Sequence, residues 1–263
     1  MIDLQKYIKT LSILKKKQLL NAVSRRHCSS YSKFIILCHH RTGSTLLHTY
    51  LNSHPNVWSR GEDIGQYLRG NIGREKSPDR FLKEDVFGLY NRSIQAVGVK
   101  LLYQYRRSAV GYQLINTLCQ QSDLKVIHLS RKNLLRVWVS DKIAERTGRY
   151  TTWKPTQYIH PNEKKIYVSP DECIRGLNKM HADKIFFEGS FKGCDTMPLT
   201  YEDLTIQPMV ALAKVQQFLC LKTAKLFSML LQQNPEPLTQ LIVNFEEVKR
   251  ALAGTRWEQC PDD

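Results

Sequence analysis

The chain has 263 residues, with 39 Lys and Arg against 24 Asp and Glu and a formal net charge of +15 at neutral pH. At 42% hydrophobic and 24% charged residues the composition is that of a globular protein, which excludes disorder, collagen and coiled coil for the whole. Apolar runs such as Phe34-Ile35-Ile36-Leu37-Cys38 fall far short of the ~20 residues needed to cross a bilayer.

Charge is uneven. Residues 1–33 carry eight Lys or Arg and one acidic residue, a net of +7, which leaves +8 for the rest. Leu4, Ile8, Leu11, Leu14 and Leu19 recur there at helical spacing. Residues 1–32 therefore read as a basic helical segment that packs one face on the domain, or serves a membrane surface or an acidic partner. No apolar core of a signal peptide follows the first charges. The seven cysteines form no CxxC pair, and free thiols in a reducing compartment are expected, so the expected location is cytoplasmic.

From residue 33 to 263 the pattern is one domain of alternating strands and helices. Strands are expected at Lys33–Cys38, Ala96–Leu102, Leu124–Leu129 and Met197–Tyr201. Helical faces follow at Leu46, Leu47, Tyr50 and Leu51, and at Leu134, Leu135, Trp138, Val139 and Ile143. Pro208 opens a helix to about Leu219 with Leu212, Val215 and Leu219 on its core face. Asn244 and Glu247 predict a capping box for a helix that closes at Gly254. Residues 146–169 read as a long polar and aromatic loop, in which Tyr150, Trp153 and Tyr158 could stack on a sugar. The β-then-α order predicts an α/β fold, a P-loop-like parallel sheet flanked by helices on both faces.

The strongest local feature is the passage from the apolar strand through His39-His40-Arg41-Thr42-Gly43-Ser44-Thr45 into a helix. A helix start after a tight turn presents backbone N–H groups and the positive end of the helix dipole to an anion. Gly43 permits a conformation that a Cβ would hinder, Ser44 and Thr45 add hydroxyls, and Arg41 adds a permanently charged fork. A nucleoside triphosphatase would need GxxxxGK[ST], but the first glycine position is Cys38 and Ser44 follows Gly43. The turn is thus suited to an anion held without the P-loop lysine. No metal site is expected: His39 and His40 would face opposite sides if the strand continued through them.

Arg41-Thr-Gly-Ser-Thr-Leu-Leu47, followed by Leu51-Asn-Ser-His-Pro55, resembles the 5′-phosphosulfate loop of sulfotransferases that use 3′-phosphoadenosine 5′-phosphosulfate (PAPS), and is most similar to their bacterial carbohydrate-sulfotransferase branch. The segment from Val126 through Arg131 and Lys132 to Ser140 is similar to the family's 3′-phosphate motif. The family places Ser eight residues after Arg, whereas Ser140 is nine after Arg131 and eight after Lys132, so either cation could fill the role. Leu199-Thr-Tyr201-Glu202-Asp203 resembles the segment whose Tyr lies near adenine, and the stretch from Val243 to Thr255 is similar to the branch's C-terminus.

The resemblance implies an O-sulfotransferase with the sulfotransferase fold, PAPS as co-substrate, 3′,5′-bisphosphate (PAP) as product and no metal. Its nucleotide ligands would be Arg41, Thr42, Gly43, Ser44, Thr45, Arg131 or Lys132, Ser140 and Tyr201. Arg41 would also stabilise the leaving phosphate. Glu62, in Arg60-Gly61-Glu62, matches the branch's general base, with a raised pKa expected in an anion-rich pocket. His128 is the second candidate base, although its place in a strand fits a core histidine better. Lys100 matches a Gly-x-Lys strand end. The acceptor implied is a glycan or glycolipid hydroxyl. A kinase-like nucleotide enzyme is the competing reading; a nucleic-acid-binding module follows only from charge, since no helix-turn-helix, RNP or zinc-finger pattern is present.

Overall fold

The computed structural model describes residues 4–23, 27–152 and 159–261. Its strands are β1 (His27–Cys28), β2 (Ser32–Cys38), β3 (Val57–Ser59), β4 (Tyr90–Asn91), β5 (Ala96–Leu102), β6 (Leu124–Ser130) and β7 (Asp195–Thr200). Its main helices are α1 (Leu4–Val23), α2 (Ser44–Asn52), α3 (Asp63–Leu68), α4 (Ala109–Cys119), α5 (Leu134–Thr147), α6 (Pro170–Ser190), α7 (Tyr201–Ile206), α8 (Pro208–Phe218) and α9 (Phe245–Leu252). Short helical turns fill several of the remaining connections.

Five strands form one parallel sheet in the order β3-β5-β2-β6-β7, and β1 pairs with β4 in a separate two-stranded ribbon. Because side chains alternate along a strand, a central strand buried on both faces reads as an unbroken apolar run. In β2, Ile35 and Leu37 join the core on one face, and Phe34, Ile36 and Cys38 join the core on the other. The first face is covered by Leu114, Ile115 and Leu118 of α4 and by Phe187 of α6. The second is covered by Leu47 and Leu51 of α2 and by Leu212 and Val215 of α8. The doubly covered α/β sheet expected from the sequence is the observed fold. Gly98 of β5 serves the close approach of its neighbour: a Cβ there would lie 2.3 Å from the Phe34 ring.

Three local expectations are corrected. The strand expected to reach Tyr201 stops at Thr200, because Thr200 caps α7 reciprocally with Asp203 and makes Tyr201 the first helical residue. The capping box at Asn244 does not form. The Asn244 amide is used instead to pair with the Val168 backbone in both directions, at 2.9 and 2.8 Å. The region read as a loop from residue 146 begins within α5 and contains a helical turn at Pro161–Lys164. Trp153 and Tyr158 lie outside the described residues.

The first helix is held by a buried lysine. Lys17 Nζ donates to the carbonyls of Asn52, His54 and Val57 at 2.8, 3.3 and 2.7 Å, at the C-terminal end of α2 where the dipole favours a cation. Leu19, expected on the apolar face, is 64% exposed, while the side chains of Leu4, Ile8 and Leu11 lie outside the described residues. Among the described residues no helix is long and apolar enough to cross a membrane.

Candidate active site

In an open parallel sheet the crevice beyond the carboxyl ends of the strands is where loops from different strands meet. Here the turn after β2, the turn after β6 and the start of α7 after β7 converge on a cavity of about 400 Å³. Arg41 and Gly43 line it from the first turn with Ser44 and Thr45 at the start of α2, Arg131 from the second turn with Ser140 from α5, and Tyr201 from the start of α7. Arg136 also faces it, and among the described residues that line it there is no Asp or Glu. Three guanidinium groups, with no carboxylate among the described lining residues, give the cavity a positive character suited to an anion.

The first turn is built from unusual backbone. Arg41 has φ +63° and Gly43 has φ +90°, both in the left-handed region. Gly43 is also the residue before α2, and a Cβ on it would meet Tyr201 Cδ2 at 2.7 Å. Conformation and packing thus require glycine together. A left-handed Arg is a costly conformation that its surroundings must hold in place. Thr42 supplies part of that hold: it is buried and its hydroxyl donates to His39 O at 2.7 Å. Thr42 therefore ties the turn together and is not in the cavity wall, unlike the neighbours grouped with it on sequence.

Arg41 reaches across the cavity. Its Nε donates to Ser140 Oγ at 3.1 Å and one Nη donates to Tyr150 O at 2.6 Å, while the other donates to Gln233 Oε1. Burial lowers the pKa of the guanidinium, partly offset by Asp141 and Tyr150. Ser140 Oγ also accepts from Asn234 Nδ2 at 3.1 Å. The Arg131 guanidinium lies 4.3 Å from the Tyr201 ring centroid, a cation–π stack that fixes both side chains in the wall.

Lys132 is exposed and outside the cavity wall, and its backbone N–H faces the Glu202 carboxylate at 3.3 Å. The turn from Arg131 to Asn133, with Asn133 capping α5 through Arg136 N–H, takes up the ninth residue between Arg131 and Ser140.

Glu62 does not line the cavity. Residues 60 and 61 continue the pairing of β3 along β5, through Arg60 N to Gly98 O and Lys100 N to Gly61 O at 2.8 Å each, which sets Glu62 beside Lys100. Lys100, buried at the end of β5, donates to Glu62 Oε1 at 3.0 Å and to Thr45 Oγ1 at 3.2 Å. The carboxylate is thereby joined to the anion turn through one ammonium. Burial pushes the Glu62 pKa up, but Lys100, its hydrogen bond, Arg69 and His48 outweigh it and leave the carboxyl below its ordinary value. The expected upward shift is wrong, because the nearest charge is a buried cation rather than an anion.

His128 donates to or accepts from the Tyr103 hydroxyl within the sheet core, and burial lowers its pKa. His39 and His40 do not face opposite sides, since β2 ends at Cys38; their rings sit 4.3 Å apart, with His40 Nε2 3.3 Å from Asp141 Oδ2. Among the described residues no group of three or more His, Cys, Asp or Glu is arranged to hold a metal ion. Sequence reasoning did not reach Gln233, Asn234, Arg136 or His48. His48, half-buried and hydrogen-bonded to Ser59 Oγ at 2.7 Å, carried a signal as the residue one turn after Ser44 on α2. Gln233 and Asn234 lie in an irregular segment and carried none.

No protein-family model matches the chain. Over 233 residues it is 28% identical to Nodulation protein H of Rhizobium tropici, which covers 84% of this chain and 89% of that protein. It is 27% identical to Nodulation protein H of Rhizobium meliloti strain 1021, covering 84% of this chain and 91% of the relative. Among solved structures, it aligns with the sulfotransferase from Alicyclobacillus acidocaldarius at a TM-score of 0.46 and 16% identity, over 91% of this chain and 96% of the other.

Proposed function

We propose that this protein is a PAPS-dependent O-sulfotransferase that moves the sulfuryl group to a hydroxyl acceptor, in the first instance a glycan or glycolipid hydroxyl. The observation that carries the reading is the convergence of Arg41, Arg131, Ser140 and Tyr201 on one carboxylate-free cavity at the carboxyl ends of β2, β6 and β7. Supporting it is the motif resemblance at residues 41–55, 126–140, 199–204 and 243–255. The catalytic domain is taken as 33–263, with 1–32 as a basic helical segment, and free cysteines favour the cytoplasm as its compartment.

The residues divide the work by charge. Arg41 and the N–H groups at the start of α2 hold the 5′-phosphosulfate, and Arg131 with Ser140 holds the 3′-phosphate. Tyr201, stacked on Arg131, forms the adenine side. Transfer forms a bond from the acceptor oxygen to sulfur and breaks the bond from sulfur to the bridging phosphate oxygen, which leaves with PAP. Glu62 takes the acceptor's proton, and Lys100 sits between Glu62 and Thr45, where it can meet negative charge that grows on either side. A carboxyl with a lowered pKa is ionised at neutral pH and ready to accept, at some loss of basicity.

Binding is tested first, by thermal unfolding with PAP in the absence of Mg²⁺. At 100 times its dissociation constant a ligand adds about 2.7 kcal/mol, or roughly 5–10 °C for a chain of this size. A shift with Mg²⁺-ATP and none with PAP would favour a kinase-like enzyme instead.

A further inference from the structure

Gln233 sits in the segment 221–237, which has neither helix nor strand, yet its main chain is tightly held. Lys164, 1% exposed, donates to Gln233 O at 2.8 Å and pairs with Glu236 Oε1 at 2.8 Å. Arg136 donates to Asn234 O and Glu236 O at 3.2 and 3.0 Å, and Leu231 N–H donates to Thr152 O at 3.0 Å. Against this fixed backbone the Gln233 side chain enters the cavity. Its Oε1 accepts from Arg41, and its Nε2 donates to Arg149 O at 2.5 Å.

A partly buried guanidinium with an unmet donor is costly, so Arg41 needs an acceptor from the protein for any donor that no anion occupies. A neutral amide oxygen is the weaker acceptor for that guanidinium, and a phosphate oxygen, itself charged, is the stronger one. We propose that Gln233 is an internal ligand of Arg41 that a nucleotide phosphate displaces, its side chain rotating away from the guanidinium as the phosphate takes its place. The inference rests on the reading of Arg41 as an anion ligand and goes beyond it by naming the group displaced. The exchange needs only side-chain rotation, because Lys164 and Arg136 hold the backbone. Ser140 Oγ and Tyr150 O still orient Arg41 once Gln233 has left. Removing Gln233 therefore removes a competitor without releasing the arginine.

The test is calorimetric titration of PAP into the full chain and its variants. Gln233→Glu turns the neutral acceptor into an ion pair with Arg41 and adds repulsion, and should weaken PAP about tenfold or more. Gln233→Ala should instead tighten PAP by about two- to fivefold, a modest net gain from removing the one amide acceptor that competes for the guanidinium. Gln233→Asn, too short to reach Arg41, should tighten it likewise and serves if the Ala variant does not fold. Opposite signs for Glu and for Ala or Asn are a result that a structural role would not produce. Weakening by Ala and Asn as well, or affinities equal to the parent for all three, would overturn the inference while leaving the anion site standing. A parent chain that does not bind PAP would overturn the anion site itself, and this inference with it.

Discussion

Arg41 and Ser140 are 99 residues apart in the chain and share a hydrogen bond of 3.1 Å, from Arg41 Nε to Ser140 Oγ. One belongs to the turn after β2 and the other to α5 after β6, so this contact joins the two halves of the proposed nucleotide site through the protein's own side chains. A left-handed Arg41 is affordable because this contact and Tyr150 O hold its side chain.

The pair should therefore behave as a unit. Arg41→Ala and Ser140→Ala should each weaken PAP binding, and the double variant should lose less than the sum, with a coupling on the order of 0.5–3 kcal/mol. Titration of the four proteins checks this. Additive losses would mean that the two residues hold separate ligand groups with no shared geometry.

The register after β6 is tested by Arg131→Ala against Lys132→Ala. Arg131 lines the cavity and stacks on Tyr201, whereas Lys132 is exposed and outside it. Loss of a forked contact to a phosphate dianion should cost Arg131→Ala about 2 kcal/mol or more of PAP affinity, about thirtyfold, with little change for Lys132→Ala. A larger loss for Lys132→Ala would restore the eight-residue spacing.

Much of this arrangement was legible in the chain, for definite reasons. The strand at Ala96–Leu102 has the expected ends because it is buried along its whole length and is apolar but for Lys100. The anion turn was visible because Gly43, Ser44 and Thr45 combine backbone freedom and hydroxyls at a strand end. The long α6 went unread although Ser169-Pro170-Asp171-Glu172 is a strong start signal, with Ser169 capping and Pro170 in the first turn. The partners of the site residues were beyond reach on different grounds. Lys100 could have been solvated or buried, and only the extension of β3 along β5 decides that it bridges Thr45 and Glu62. Gln233 depends on a segment whose path is set by Lys164 and Arg136, not by local propensity. The strand end at Cys38 is where the apolar run stops, and the turn that Thr42 closes follows it directly.

Glu62 and Lys100 make a prediction about pH. Because Lys100 holds the Glu62 carboxyl below its ordinary value despite burial, the acidic limb of kcat/KM should lie below the ordinary carboxylate range in the parent. Lys100→Met removes the cation, leaves burial to raise the pKa, and should move the limb upward. A limb that stays in place in the variant would assign it to another group.

The account's central claim is sulfuryl transfer with Glu62 as base, and a single-turnover assay with sulfur-labelled PAPS and carbohydrate acceptors tests it most directly. Mass spectrometry of the acceptor should find one SO₃ added by the parent. Glu62→Gln keeps the size of the side chain but cannot take the proton, so its rate should fall by about 10²–10⁴ while PAP affinity stays near the parent's. The contradicting result is a Glu62→Gln variant that binds PAP and transfers the label to the acceptor as fast as the parent.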